Sequence, residues 1–201
     1  MRSLHKENRS PFIVLVLLWF MGIGHMTAQI TDQPETAVPA EGEEEPIYWT
    51  VKAHRPDAQL MDIKAIDKKG NRHEVRAIQQ SSDASMLSVK AMVDGEALPI
   101  KLVEKGGEQF YPVKAIDHDG FLIGIKAETE TGGLLDVKGV SQTGNIVHLR
   151  AINKYLKYYN IIAISPEGKV YDVKGLKMLD TPVETVINGV RIFAHVKSLA
   201  Q

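Results

Sequence analysis

The chain has 201 residues, a formal net charge of −1 and 24% charged residues, a balance typical of a globular protein. A charge this close to neutral argues against a protein that coats nucleic acid. The absence of cysteine excludes a disulfide framework, a thiolate metal site and a thiol nucleophile.

The N-terminus has the pattern of a signal peptide. Arg2, Lys6 and Arg9 form a basic region, and residues 12–23 form an apolar stretch too short to span a bilayer comfortably. A small residue follows where cleavage is expected. We therefore predict that residues 1–28 are removed, that no membrane span remains, and that the protein is periplasmic or secreted.

Two segments of different composition follow the predicted signal peptide. Residues 29–46 are dominated by proline and glutamate and have no apolar period, which predicts an acidic disordered linker. Residues 47–201 are predicted to form a single β-repeat domain, because one phrase recurs throughout them.

The recurring phrase is of the type Val-Lys-Ala-Ile, at steps of about twelve residues, as expected for one strand plus a connection. A helical period of about 3.6 residues does not fit. We call the residue at the Lys position the centre of each unit. The centres are Lys52, Lys64, Arg76, Lys90, Lys101, Lys114, Lys126, Lys138, Arg150, Ile162, Lys174, Glu184 and Lys197.

Three positions of each unit are apolar or small. The residue one before the centre is aliphatic in all thirteen units, and the residue one after is Ala, Gly, Ser or Thr in every unit except at Leu102. The residue three before is mostly large and apolar. Because side chains alternate along a strand, these positions share one face, which we predict to be the core side. In antiparallel neighbours the size order is reversed, so a large side chain is expected beside a small one.

Turn sequences that contain glycine follow every second unit, and their residues are typical of hairpin turns. They lie at 67–70, 94–95, 117–120, 141–144, 165–168 and 188–189. The chain is thus predicted to be all-β, with a leading strand and six antiparallel hairpins. The four-residue turns recur at steps of about 50 residues, which indicates threefold order, whereas the other connections share no motif. The strands are expected to form a closed trefoil- or barrel-like body, or an open meander.

The centres face away from the predicted core, and eleven of the thirteen are Lys or Arg. If neighbouring centres align, like charges lie about 5 Å apart, which is unfavourable. One interpretation is solvation together with nearby acids, such as Asp62, Asp136 and Asp172. The other is that the cations bind a polyanion such as a sulfated or uronate polysaccharide. The net negative charge counts against this second interpretation.

Residues 153–160 contain the aromatic cluster of the chain. Tyr155 and Tyr158 have ring faces suited to stacking on sugars, and the alternative is a loop that plugs one end of the sheet. The candidate glycan-binding residues are Lys64, Arg76, Lys90, Lys114, Lys126, Lys138, Arg150, Lys174, Tyr155 and Tyr158.

The sequence contains no recognised catalytic or metal-binding constellation. The histidines lack a metal-ligand spacing, and residues 117–120 are interpreted as a turn. No nucleophile elbow or phosphate-binding glycine loop is present. We therefore predict no catalytic residue, no cofactor and no metal, while an active site assembled by the fold stays an alternative.

Two phrases carry a family resemblance. Residues 113–120 (Val-Lys-Ala-Ile-Asp-x-x-Gly) and 171–176 (Tyr-Asp-Val-Lys-Gly-Leu) resemble an uncharacterised family of exported flavobacterial repeat proteins. The resemblance extends over residues 48–199. It implies an association with polysaccharide-utilisation genes, including those for sulfated algal polysaccharides such as ulvan, but it transfers no catalytic or binding residue.

These observations favour a non-catalytic exported β-repeat protein that is accessory to binding or degrading an anionic polysaccharide. The alternatives are a structural or protein-interaction module of the cell envelope, with an envelope protein as partner, and an unrecognised polysaccharide-active enzyme.

The size gradient of the core face gives a stability prediction. Ala115 holds a small position, so Ala115→Leu is expected to overpack the core and to destabilise the protein by about 1–3 kcal/mol. The measurement is the thermal midpoint of unfolding. An unchanged midpoint would contradict the proposed packing of this face.

Overall fold

The computed structural model describes residues 45–104, 109–177 and 186–201. The predicted signal peptide, most of the predicted linker and the unit centred on Glu184 lie outside these residues. The described residues belong to one structural unit, residues 42–201.

The described residues form thirteen β-strands and no helix, and every pairing between strands is antiparallel. None of them forms a helix of the length and apolarity needed to cross a membrane. The all-β prediction is confirmed. The strands are β1 (Ile47–Arg55), β2 (Ala58–Ile66), β3 (Arg72–Gln79), β4 (Met86–Val93), β5 (Glu96–Val103), β6 (Tyr111–Ile116), β7 (Leu122–Glu128), β8 (Leu134–Thr143), β9 (Ile146–Ile152), β10 (Tyr158–Ile164), β11 (Val170–Leu176), β12 (Val186–Ile187) and β13 (Val190–Leu199).

The six predicted glycine turns each join neighbouring strands, and two further connections adopt the four-residue turn without a predicted motif. In a predicted turn the Gly70 amide donates to the Asp67 carbonyl at 3.1 Å, and the equivalent bonds at 129–132 and 153–156 are 2.9 and 3.0 Å. Leu156 takes the place of the glycine, at a φ of 57°. This left-handed conformation costs a non-glycine residue roughly 1–2 kcal/mol.

Each strand except β12 bonds to three of the other long strands, because one of its edges changes partner midway, and β13 also pairs with the short β12. In β2, for example, Asp62 pairs with β1 and Lys64 pairs with β3, while Ile63 is skipped on that edge. The skipped residue is the aliphatic one before the centre in all twelve strands. The strands thus meet in four groups of three, which we call junctions: β1–β2–β3, β4–β5–β13, β6–β7–β8 and β9–β10–β11.

Six further pairings join the junctions to one another, and they make the hydrogen bonding ring-like. Following the pairings through β1, β2, β7, β8, β9 and β10 leads back to β1. Every described strand except β12 is therefore bonded along both edges, which protects it from edge-to-edge aggregation. The order is four groups of three strands, and not the three groups of four that the turn spacing indicated.

The core lies on the predicted inner face of the strands. Val51, Ile63 and Val75 form the floor of the β1–β2–β3 junction, each with 3% of its surface exposed. Burying an aliphatic side chain this far contributes roughly 1.5–3 kcal/mol. The skipped residues therefore fill the space beneath the point where three backbones diverge.

The register places large side chains beside small ones, as predicted. Within the β1–β2–β3 junction, Ala53 pairs with Met61 and Ala77 pairs with Trp49. Between junctions, the small residue pairs with the aliphatic one, as Ala127 does with Ile63. The core layer is filled evenly because every small position has a larger neighbour.

Leu102 is large where the other units are small, and three smaller neighbours make room for it. Its partner in β13 is Ala194, at a position where most units have a large residue. A Cβ added to Gly139 would lie 2.5 Å from Leu102 Cδ2, and one added to Gly175 would lie 2.8 Å from Leu102 Cδ1. Leu102 therefore occupies space that the two glycines leave empty.

This compensation predicts an energetic coupling between strands β5 and β8. Gly139→Ala is expected to destabilise the protein by about 1–3 kcal/mol through overpacking, and by less when Leu102→Ala has removed the obstructing methyl groups. A double-mutant cycle from urea unfolding should give a coupling of about 1 kcal/mol.

Gly124→Ala provides the matched control, because its added Cβ would meet no atom closer than 3.7 Å. Its effect on stability should be the same with Leu102 or Ala at position 102. Strict additivity between Gly139→Ala and Leu102→Ala would show that the glycine does not accommodate the leucine.

Candidate functional site

The centre residues lie on the outer face and oppose one another across the pairings that join the junctions. Five of these six described pairs bring two cations together, so the expected alignment of like charges is present. The pairs are Lys52–Ile162, Lys64–Lys126, Arg76–Lys90, Lys101–Lys114, Lys138–Arg150 and Lys174–Lys197.

Acidic side chains offset part of this charge inside the junctions. There each centre faces the residue two before the centre of a neighbouring strand, and several of these residues are acids. Asp136 contacts two lysines at once, hydrogen-bonding Lys126 and lying 3.6 Å from Lys138. The ion pairs are Lys52–Asp62, Arg76–Glu74, Lys126–Asp136, Lys138–Asp136 and Lys174–Asp172.

The junctions differ in how many acids they hold at these positions. The β1–β2–β3 junction has Asp62 and Glu74, the β6–β7–β8 junction has Asp136, and the β9–β10–β11 junction has Asp172. The β4–β5–β13 junction has Ser88, Pro99 and His195 instead. Among the described residues, no acid therefore occupies a facing position at that junction.

The ten predicted site residues fall into two groups. Six belong to the ring β1–β2–β7–β8–β9–β10 and its loops: Lys64, Lys126, Lys138, Arg150, Tyr155 and Tyr158. The other four belong to the β4–β5–β13 junction or oppose its lysines: Arg76, Lys90, Lys114 and Lys174. Within these groups the register directly opposes four pairs: Lys64–Lys126, Lys138–Arg150, Arg76–Lys90 and Lys174–Lys197.

We call the outer side of the first ring, with its loops at 56–57, 129–133 and 153–157, the ring face. The strand ends that flank the first loop contact residues of the second loop and of β10, which follows the third loop. Gln59 hydrogen-bonds Glu130 beside the second loop, and the Arg55 guanidinium lies 5.4 Å from the centre of the Tyr159 ring beside the third.

Apolar side chains are exposed around these loops. Leu60, Leu134 and Tyr158 each stand four residues before a centre and are 43%, 44% and 43% exposed, while Tyr155 and Leu156 reach 72% and 63%. The sequence patterns identified the two tyrosines but missed the three leucines. Leu60 and Leu134 could have been identified from the sequence by their shared position, four residues before a centre.

The loop that carries Tyr155 is held by its own hydrogen bonds. Asn153 Oδ1 accepts from the amides of Tyr155 and Lys157, both at 2.9 Å. Leu156 is exposed although its backbone conformation favours glycine. Backbone strain that a sequence tolerates at an exposed apolar residue is a feature of functional surfaces.

A depression of about 450 Å³ lies over the β6–β7–β8 junction, where Lys114, Lys126 and Lys138 line it together with Asp136. Its volume lies within the range of small-ligand sites, about 300–1,000 Å³. In the described parts of the chain, no three His, Asp or Glu side chains are grouped to hold a metal ion.

The chain belongs to DUF7486, a family of unknown function whose sequence profile matches residues 45–199. No curated protein and no solved structure matches the chain. The family match includes every described strand but assigns no activity, so function has to be argued from the outer surface.

The ion pairs of Asp136 give a pH dependence. The hydrogen bond from Lys126 lowers the pKa of Asp136, whereas the unfolded carboxyl titrates near 3.9. The pairing therefore stabilises the protein above that pH, and this contribution is lost as the pH falls through the lower, folded pKa. Between about pH 5 and pH 2, the free energy of unfolding of Asp136→Asn, measured with urea, should fall less steeply than that of the wild type. The difference should be about 0–1 kcal/mol, as for exposed ion pairs.

Asp119→Asn is the control, because Asp119 lies in an exposed turn and makes no ion pair with the described residues. It should leave the wild-type pH dependence unchanged. Identical curves for the wild type and Asp136→Asn would show that the pairing contributes nothing to stability.

Proposed function

We propose that the protein is a non-catalytic, exported binding protein that holds an anionic polysaccharide on its ring face. The observation that carries this proposal is the presence, on one surface, of exposed tyrosines and two pairs of opposed cations. A sulfated or uronate glycan presents both sugar rings and regularly spaced negative charges, so it offers a partner for each kind of group.

The tyrosines and leucines of the ring face suit the apolar face of a sugar. Tyr155 and Tyr158 present aromatic rings that combine an apolar body with a polar hydroxyl. Leu60 and Leu134 extend the apolar surface on the neighbouring strands. Exposed apolar groups that lie together on a monomer are characteristic of interaction sites.

The cation pairs suit the anionic groups of the same glycan. Lys64 opposes Lys126, and Lys138 opposes Arg150. Among the described residues, no carboxylate lies within ion-pair distance of Lys64 or Arg150. Lys126 and Lys138 share a single ion-pair partner, Asp136. Bound anions would relieve the repulsion within each pair, and the affinity should fall steeply with salt.

The sequence supplies the biological context of the proposal. The predicted signal peptide supports export to a compartment where polysaccharides are encountered, and the resemblance to exported flavobacterial repeat proteins points to polysaccharide utilisation. The rival hypothesis, an envelope module that binds another protein, uses the same apolar groups but does not require the cation pairs.

Affinity electrophoresis tests the proposal. At low salt, gels containing a sulfated or a uronate glycan should retard the protein, and added salt should abolish the retardation. Tyr155→Ala combined with Tyr158→Ala should weaken binding by about tenfold or more, by analogy with the roughly 1–3 kcal/mol per base that stacking on an aromatic side chain contributes in single-stranded nucleic acid binding. Lys64→Gln combined with Lys126→Gln should reduce the salt dependence as well.

Tyr48→Ala is the matched control for the tyrosine variant. Tyr48 also stands four residues before a centre and is 46% exposed, but it lies at the end of β1 that pairs with β3, away from the three loops. It should bind like the wild type. No retardation of the wild type at low salt, or equal losses in the control and the tyrosine variant, would refute the proposal.

A further inference from the structure

The β4–β5–β13 junction combines three lysines with no carboxylate at the facing positions. Its facing pairs are Lys90–Pro99, Lys101–His195 and Lys197–Ser88. Each of the other junctions has at least one acid at such a position. At the facing positions, the three strands therefore supply no carboxylate for Lys90 or Lys197.

At this junction, the Nε2–H group of His195 donates no hydrogen bond to a described residue. The Lys101 ammonium lies beside Nδ1 of His195, and an ammonium only donates, so Nδ1 accepts and the ring proton of the neutral imidazole is on Nε2. That Nε2 atom is buried and has no hydrogen-bond partner among the described residues. Burial, together with the charges of Lys101 and Lys197, lowers the pKa of His195 to about 4, which keeps the ring neutral near pH 7.

The neighbouring lysines lack a counter-charge within the described parts of the chain. Lys197 Nζ donates to Ser88 Oγ at 2.9 Å, and neither Lys197 nor Lys90 has a carboxylate within ion-pair distance. Burial and the charge of Lys90 lower the pKa of Lys197. Partly buried cations without a counter-ion are unfavourable.

A small depression lies at the centre of the junction, between these side chains. Its volume is about 30 Å³, and the same residues line it over a floor of Val89, Ile100 and Val196. This exceeds the about 10–15 Å³ of such space that one water molecule needs. The depression therefore has room for at least one oxygen atom of an anionic group.

We propose that the β4–β5–β13 junction binds a single oxyanion group, a sulfate or a carboxylate. Such a group supplies negative charge for the ammonium groups of Lys90 and Lys197, and it lies beside the His195 ring, which also lines the depression. None of the three strands belongs to the ring that carries the proposed glycan-binding face, so this is a second site. It does not depend on the function proposed for the ring face.

The test is a titration of the purified protein, labelled with ¹⁵N at histidine, with sodium sulfate, sodium glucuronate or sodium chloride at matched ionic strength. Sulfate or glucuronate should shift the His195 imidazole resonances in a saturable manner, and chloride should not. Comparison of the two oxyanions identifies which group the site prefers. Lys90→Gln and Lys197→Gln should each weaken oxyanion binding by about tenfold, as expected for the loss of one charge-assisted contact.

Lys64→Gln removes the same charge at the β1–β2–β3 junction and is the matched control; it should leave the titration unchanged, and Lys90→Arg should retain binding. His195 shifts that are equal in chloride and in both oxyanions would overturn the inference. Equal weakening by Lys64→Gln and Lys90→Gln would do the same. Oxyanion binding without glycan retardation would support this site and refute the ring-face function, whereas glycan retardation without a His195 response would refute this site alone.

Discussion

The structure depends on a change of partner that occurs at the same position in twelve strands. At the aliphatic residue before each centre, one edge of the strand leaves one neighbour and joins another, and three strands that do this together form a junction. Backbone hydrogen bonding is interrupted at that point, so the space beneath it must be filled by side chains. Val51, Ile63 and Val75 fill it at the first junction, which explains why this position is aliphatic in every unit. The small residue that follows leaves room for the large residue of the next strand, and where Leu102 breaks this pattern, glycines on β8 and β11 compensate.

The same geometry sets the electrostatics of the outer surface. Between junctions the centres are in direct register, so cations oppose cations. Within junctions the centres face the residue two before a neighbouring centre, and an acid there can bond a lysine of another strand. The charge of each junction therefore depends on three residues from three strands. At the β4–β5–β13 junction none of these residues is acidic, and the buried Nε2 of His195 has no acceptor among the described residues. The proposed oxyanion binding rests on this imbalance and not on an overall positive charge, which the chain does not have.

The loops of the ring face add exposed apolar side chains to this framework. The strands that begin at its loops each expose an apolar residue four positions before the centre, and the third loop adds Tyr155 and Leu156. Leu156 is in a conformation that glycine adopts in the equivalent turns. A glycine there would be less strained but would remove an exposed apolar side chain. The leucine is consistent with the proposed binding function, and the cation pairs on the same strands suit the proposed anionic partner.

The sequence alone determined the all-β class, the positions of the strands and six of their turns, and the division of each strand into an inner and an outer face. These features are local, because they follow from the alternation of side chains along a strand and from the conformational preferences of turn residues. It also predicted the pairing of large with small residues, since any antiparallel register reverses the size order. The tertiary structure alone decided which strands meet, and this depends on contacts between distant segments that a repeated phrase cannot distinguish. Asp62 bonds Lys52 and not the adjacent Lys64, and Lys90, Lys197 and His195 meet at one junction, because the partner of each strand is set by closure of the whole sheet.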